Sequence, residues 1–146
     1  MLKSATRSFF VLIAELACLV VIPGCSFTTA NISSFVVSKD KEGTQPTSTF
    51  SPQETIYAKA VVSNVPSKIT VKWRVIAVKV EGEKENTPIT DLDLSFDLPS
   101  DGTSYYKLSP PANGIPAGAY KIEAHMVTEE GTEKDLKTAT ITVGGG

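Results

Sequence analysis

The sequence predicts an all-β fold, an antiparallel sandwich of about seven strands that follows an apolar N-terminal segment. From residue 32 onward, apolar and polar residues alternate over short runs, which is the period of a half-buried strand. Proline, glycine and asparagine or aspartate turn signals separate these runs, and no stretch has the helical spacing of apolar residues. Because each strand has one apolar face, two sheets must cover one another.

Seven segments carry the strand pattern, and turn-forming residues separate them. They are residues 32–37, 55–62, 69–80, 90–98, 103–108, 119–127 and 136–143. In the third segment the apolar phase changes between Val75 and Ala77, which predicts a bulge or a change of sheet there. In the fourth segment the alternation predicts a row of apolar residues facing the core, namely Leu92, Leu94, Phe96 and Leu98.

Composition and charge restrict the classes of function. The chain has 146 residues, of which 41% are hydrophobic and 21% are charged, which is ordinary for one globular domain. Residues 1–24 contain Lys3, Arg7 and Glu15, a net charge of +1, so the rest of the chain stands at −3 against a total of −2. A mildly acidic domain without clustered lysine and arginine lacks the electrostatic footprint of a nucleic-acid-binding protein.

The first 24 residues have the layout of a secretory signal peptide. Lys3 and Arg7 give a positive start, and residues 9–22 are apolar except for Glu15. A transmembrane helix needs about 20 apolar residues, whereas this run is shorter and ends at Pro23. The segment therefore predicts export from the cytoplasm.

Residues Ile22-Pro23-Gly24-Cys25 stand at the end of this run. They resemble the lipobox of bacterial lipoproteins, which is an aliphatic residue, a tolerant position, a glycine or alanine, and a cysteine. The resemblance implies that the thiol of Cys25 receives a diacylglyceryl group and that signal peptidase II cuts between Gly24 and Cys25. Gly24 has no side chain to block either enzyme, and only cysteine supplies a thiol for the thioether bond. Ordinary cleaved secretion and an uncleaved anchor remain the alternatives.

Cleavage at this site would divide the chain into four parts. Residues 1–24 would be the signal peptide, and residues 25–34 would be the lipidated Cys25 with a short tether. Residues 35–143 would form the sandwich, and residues 144–146 a glycine tail. The resemblance also implies a location in the cell envelope. Ser26 after the cysteine implies the outer membrane in a Gram-negative cell, and otherwise the anchor lies on the outer face of the plasma membrane. The processed chain would keep one of its two cysteines and form no intramolecular disulfide.

Two aromatic residues refine the predicted fold. Trp73 lies midway along the third segment, and Tyr120 opens the sixth segment after Pro116-Ala117-Gly118-Ala119. This pattern resembles immunoglobulin-like and fibronectin-III-like domains, which bury a tryptophan on strand C and place a tyrosine corner near the start of strand F. The resemblance implies that Trp73 and Tyr120 are structural core residues rather than a platform for stacking sugars.

The sequence offers little for catalysis. His125 is the one histidine, and the alternation places it on an outward position where we expect it to be solvated. No serine stands in a G-x-S-x-G context, and the one cysteine left after processing is the lipid site. Four zinc ligands cannot be assembled from these residue types. We therefore expect neither enzymatic activity nor a cofactor.

An acidic series is the best metal candidate in the sequence. It comprises Asp91, Asp93, Asp97 and Asp101, of which the first three share one face of the fourth segment. Calcium takes roughly six to eight oxygen ligands, and the series lacks the loop and glycine placement of an EF-hand. A solvated strand face is the favoured interpretation, and it would also discourage pairing with another sheet. Calcium binding by Asp91, Asp93 and Asp97 stays an open alternative.

The function expected from these observations is a non-catalytic interaction module on a membrane surface. Its partner would be an envelope protein or polymer, bound through loops or an edge strand, with no nucleic acid and no small-molecule cofactor. A structural part in an envelope or secretion assembly is the first alternative. A small protease or hydrolase inhibitor, presenting the proline-rich loop 110–116, is the second.

Overall fold

Nine strands in two packed sheets make up the part of the chain that the computed structural model describes, residues 29–144. The strands are β1 (Asn31–Ser38), β2 (Thr49–Phe50), β3 (Ile56–Ser63), β4 (Ile69–Val80), β5 (Thr87–Pro88), β6 (Leu94–Leu98), β7 (Gly102–Leu108), β8 (Gly118–Thr128) and β9 (Glu133–Val143). A single 3-10 turn, Thr90–Leu92, lies between β5 and β6.

The two sheets differ in size. The smaller has the strand order β1-β3-β7, and the larger has the order β2-β9-β8-β4-β5, with β6 also paired to β4. All pairings are antiparallel except that of β2 with β9. When β3, β4, β7, β8 and β9 are lettered B, C, E, F and G, the sheets contain the B–E and G–F–C neighbours of immunoglobulin-like domains. The predicted fold class, an all-β antiparallel sandwich, is confirmed.

The core lies between the sheets and is built from alternate residues of facing strands. In β3 the buried residues are Ile56, Ala58, Ala60 and Val62, each at most 1% exposed. Small residues stand beside large rings, since Ala58 is paired with Tyr106 and Ala124 with Trp73. Placing small residues beside large ones in this way lets the side chains of the core interdigitate.

The bulge expected in β4 lies slightly later than predicted. The register between β4 and β8 shifts between Ala77 and Lys79, so that Val78 is the extra residue. Ala77 is still buried, and Val80 is buried again after the shift. Ile76 misled the prediction, because it is an apolar residue on the outward face, where it pairs with Pro88 of β5.

The fourth predicted strand is interrupted. Residues 90–92 form the 3-10 turn, and only Leu94–Leu98 is strand. Leu94 and Phe96 were predicted to be core residues, but they are 43% and 41% exposed. They are paired with Trp73 and Val71 and so share the inward side of the larger sheet. The smaller sheet ends at β7 and leaves them uncovered, which is why this prediction was wrong.

The two ends of the sandwich carry different parts of the chain. The start of β1 lies at one end, together with the β3–β4, β6–β7 and β8–β9 turns, and we call this the N-terminal end. Loops 39–48, 81–86 and 109–117 lie at the opposite end, which we call the far end. β1 begins at Asn31, so the sheet starts within residues 25–34, which were predicted to be a tether.

Several predictions from the sequence fall outside the described residues. The signal peptide, Gly24 and Cys25 precede residue 29, and the last two residues of the glycine tail follow residue 144. Within residues 29–144, no helix has the length and apolar character needed to span a membrane.

Candidate functional site

Trp73 lies at the centre of the core. Its side chain is 1% exposed, and its ring packs between those of Phe35 and Tyr106, at centroid distances of 6.0 and 5.5 Å. The indole Nε1–H donates a hydrogen bond of 2.8 Å to Ser104 Oγ, which satisfies its one polar group. The ring is therefore enclosed and offers no stacking surface to a ligand.

Tyr120 fixes the proline-rich loop at the far end. Its hydroxyl donates a hydrogen bond of 2.7 Å to the carbonyl of Pro116, which is the contact expected of a tyrosine corner. Burial raises the pKa of this hydroxyl, so it remains a donor. Gly118 begins β8 with φ +152°, and an added Cβ would stand 2.5 Å from the Lys79 carbonyl oxygen. Glycine is thus required for β8 to approach the bulge of β4.

An apolar pocket lies between the sheets at the far end, where the 3-10 turn interrupts the edge of the larger sheet. It has a volume of about 320 Å³, at the lower end of the range of ligand pockets. Its lining consists of Val75, Ile89, Asp91, Leu92, Leu108, Ser109, Pro111, Ile115, Pro116 and Tyr120. Aliphatic, proline and tyrosine side chains dominate this set, which suits an apolar group rather than a charged one.

The exposed residues of β6 continue this apolar surface. Leu92 lines the pocket, and Leu94 and Phe96 follow it along the same inward side of the sheet. β6 pairs with β4 on one side only, and no strand among residues 29–144 pairs with its other side. We call the strip formed by the pocket, Leu94, Phe96 and the unpaired side of β6 the open edge.

Tyr106 holds the open edge in place. Its hydroxyl donates a hydrogen bond of 2.9 Å from β7 to the carbonyl of Leu92, across the gap between the sheets. Burial, with a smaller contribution from Asp93, raises the pKa of Tyr106 to about 12. The hydroxyl therefore stays protonated at any physiological pH and keeps the 3-10 turn fastened to the smaller sheet.

The aspartates considered as calcium ligands are engaged separately. Asp93 lies 3.6 Å from the Arg74 guanidinium, Asp97 accepts a hydrogen bond of 2.7 Å from Thr70, and Asp101 accepts one of 2.8 Å from the backbone N–H of Val65. Asp91 lies at the pocket instead. Within the described chain no cluster of three or more potential metal ligands is formed. The structure thus does not bring this series together around one point.

His125 differs from the solvated residue that the sequence predicted. Its Nε2 lies 2.8 Å from Glu123 Oε2, and its Nδ1 contacts Glu133 Oε1. Each ring nitrogen of His125 therefore faces a carboxylate oxygen. Burial alone would raise the pKa of Glu123, but hydrogen bonds from His125 and Lys121 outweigh it and hold that pKa below its usual value. Neither ring nitrogen is left to activate a serine.

A second surface feature lies on the outer face of the smaller sheet. Tyr57, Tyr105 and Lys107 surround a shallow depression there, and Lys41 Nζ lies 5.0 Å from the centre of the Tyr105 ring. The chain's own lysine therefore already occupies a face of this ring. The open edge is the better candidate, because its apolar groups have no such cover among residues 29–144.

Two comparisons with known proteins found no match. A scan against protein-family models finds no match to the chain, and a search of curated proteins finds no similar sequence. The function must therefore be argued from the residues of the open edge and from the N-terminal motif.

Proposed function

We propose that this chain is a lipid-anchored envelope protein whose sandwich is a non-catalytic binding module, with the open edge as its binding site. The exposure of Leu94 and Phe96 beside an apolar pocket carries the second half of this proposal. Contiguous apolar surface on a soluble domain is typical of a site that another molecule covers.

The lipobox residues Ile22-Pro23-Gly24-Cys25 support the anchor. Each buried methylene of an attached chain contributes about 0.8 kcal/mol to membrane binding, so two or three acyl chains hold a protein firmly. Few residues separate Cys25 from the start of β1 at Asn31. The N-terminal end of the sandwich would then face the bilayer, and the pocket at the far end would face away from it.

Fractionation and labelling of the Cys25→Ser variant test the anchor. We expect the natural chain to incorporate labelled palmitate and to sediment with membranes, and the variant to do neither, because it lacks the acceptor thiol. Cys18→Ser is the matched control and should behave as the natural chain does. A Cys25→Ser protein that is processed and membrane-bound as before would refute the anchor.

Site-specific photo-crosslinking in intact cells tests the binding site. A photoreactive amino acid at Phe96 should capture a defined partner, whereas the same group at Leu136 should not. Leu136 is the matched control because it is 39% exposed on the outer face of the larger sheet, away from the open edge. Equal capture from both positions would favour the alternative of a structural part surrounded by neighbours. Capture from neither would overturn the open edge as a binding site.

The inhibitor alternative finds less support in the structure. Ile115, in the middle of the proline-rich loop, is 5% exposed, and its N–H donates a hydrogen bond of 2.8 Å to the carbonyl of Pro52. Because Tyr120 also holds Pro116, the loop is packed against its own domain. This arrangement suits a wall of the pocket better than a loop presented to a protease.

A further inference from the structure

We propose that the open edge binds an extended peptide, which adds to the larger sheet as a strand beside β6 and reads basic–apolar–any–apolar–basic. This inference rests on the proposed function, since it names the class of partner that the binding module would take. Three features of β6 carry it: its unpaired backbone, its apolar row and its charge.

The backbone of β6 is prepared for another strand. Its five residues, Leu94–Leu98, pair in regular antiparallel register with Trp73–Ile69 of β4. In such a strand alternate residues direct their N–H and C=O groups away from the sheet, and here no strand of residues 29–144 receives them. Strand addition is the mode of peptide recognition that uses these groups.

The apolar row of β6 lies where an added strand would need it. Leu94 and Phe96 are two residues apart and project on the same side, so a neighbouring strand would place its own side chains directly against them. Beyond Leu94 the row leads into the pocket lined by Leu92 and Ile89. A peptide longer than the paired segment would therefore lay a further apolar side chain in the pocket.

The charges on the outer face of the larger sheet specify the partner further. One row across the strands runs Glu123, Arg74, Asp93, so its charge alternates from β8 to β4 and then to the residue before β6. A second acidic position, Asp97, lies 3.8 Å from Lys68 and is 61% exposed at its side chain. Opposite charges on neighbouring strands attract, so the next strand should carry a base beside each aspartate.

An unsatisfied acceptor lies in the same row. Among the described residues, Asp93 Oδ1 is buried and accepts no hydrogen bond, while the ion pair with Arg74 uses Oδ2. Because this oxygen is buried, a donor on an added strand would reach it once the Asp93 side chain turns toward the open edge.

A second copy of this chain is a poorer occupant. Residues 93–97 read Asp-Leu-Ser-Phe-Asp, so two antiparallel copies centred on Ser95 would place each Asp93 opposite an Asp97. Like charges directly opposite one another are destabilising. The same aspartates that discourage self-association therefore select a basic partner, and the required pattern is the same in either strand direction because it is symmetrical.

Binding of synthetic peptides to the processed full-length protein in detergent micelles tests the proposal. A peptide with the core Lys-Val-Thr-Val-Lys should bind at least about tenfold more tightly than one with Glu-Val-Thr-Val-Glu, because attractive cross-strand pairs become repulsive ones. Asp97→Asn should weaken binding of the lysine peptide about two- to fivefold. Glu85→Gln, which removes one exposed carboxylate in the far-end loop, is the control and should change nothing.

N-methylation of the peptide separates strand addition from side-chain docking. Methyl groups on one set of alternate residues would point at β6 and should abolish binding, whereas methyl groups on the other set should be tolerated. The bound peptide should also slow hydrogen exchange of amides in residues 94–98. Equal affinity of the two methylated peptides, or no preference for lysine over glutamate, would overturn the proposal.

Failure of this inference is distinguishable from failure of the proposed function. Capture of a partner from Phe96 in cells, together with peptides that show no dependence on charge or backbone, would keep the open edge as a binding site and reject strand addition. Absence of capture from Phe96 would reject the binding site itself.

Discussion

The two long edges of this sandwich differ in how far the chain's own residues cover them. At the edge formed by β1 and β9, the N–H of Ile32 donates a hydrogen bond of 2.8 Å to Asp135, and Ile32 is 1% exposed. β2 then adds to β9 as a short parallel strand, with Phe50 only 4% exposed. At the edge formed by β6 and β7, Leu94 and Phe96 are exposed. The chain's own residues thus cover part of the edge formed by β1 and β9, which we call the closed edge, whereas Leu94 and Phe96 at the other edge stay exposed.

This difference shows that the open edge is not merely a consequence of small size. Loop 39–48 leads to the last residues of β9, where Thr142 N–H donates a hydrogen bond of 2.8 Å to the Ser48 carbonyl. The corresponding connection on the other side, residues 89–93, forms a 3-10 turn and a pocket instead of a cover. Exposed edges invite association, so the uncovered side is where a partner is expected.

Phenylalanine substitutions on the two edges should show the largest contrast. Phe50→Ala should lower the free energy of unfolding by about 3–5 kcal/mol, because it empties a buried site. Phe96→Ala should lower it by less than about 1 kcal/mol, because 41% of that residue is already exposed and its removal leaves no enclosed cavity. Urea denaturation of the purified protein measures both. Equal losses would remove the distinction between the edges.

Loss of the hydrogen bond between Ile32 and Asp135 should lower the free energy of unfolding by an intermediate amount. Asp135→Ala leaves the buried N–H of Ile32 without an acceptor, which costs about 1–3 kcal/mol. Hydrogen exchange of the β1 amides should accelerate in this variant. Asp135→Asn keeps an oxygen acceptor and should recover much of the stability, and if both variants exchange alike the hydrogen bond is not what closes this edge.

Removal of one hydroxyl should loosen the open edge by a smaller amount. Tyr106→Phe loses the hydrogen bond to the Leu92 carbonyl while keeping the packed ring, at a cost of about 0.5–1.5 kcal/mol. Amides of residues 90–98 should exchange faster, and those of the closed edge should not. Tyr120→Phe is the matched control, since it loses a similar bond, to Pro116 in the pocket wall, that involves none of residues 90–98. Faster exchange throughout the domain in Tyr106→Phe would contradict a local role.

The smallest effect on stability should come from Glu123 and should appear only at acidic pH. Interactions with His125 and Lys121 lower the pKa of Glu123 from its usual value of 4.5, so its ionised form is favoured by folding. That contribution is complete above the unfolded pKa and is lost as the pH falls through the lower folded pKa. Glu123→Gln should therefore flatten the decline of stability below about pH 4.5. An unchanged pH profile of urea denaturation would show that Glu123 contributes nothing to it.

Local alternation was enough to locate the longer strands. The pattern from Ile56 to Val62 places four buried residues of β3, and the predicted 69–80 segment coincides with β4. The prediction was correct for β3 and β4 because the other sheet fully covers one face of each strand. The two-residue strand β2 escaped prediction, because its pairing depends on where β9 ends rather than on its own residues.

The candidate site depended on information that alternation does not contain. Alternation placed Leu94 and Phe96 on the inward side, and this is where they lie. It could not show that the opposite sheet ends before reaching them, because the width of a sheet is set by strands far away in the sequence. The contacts of His125 were missed for a related reason, since Glu133 reaches it only through the register of β8 with β9.

The position of β6 along the sandwich has a consequence for what it can meet. β6 runs toward the end at which β1 begins, and its five residues span roughly 17 Å. If Cys25 carries lipid, the chain from Cys25 to Asn31 can span at most about 20 Å. The open edge would then stay within a limited distance of the lipid headgroups. Distance from the membrane, in addition to sequence, would decide which passing segments of other proteins it can catch.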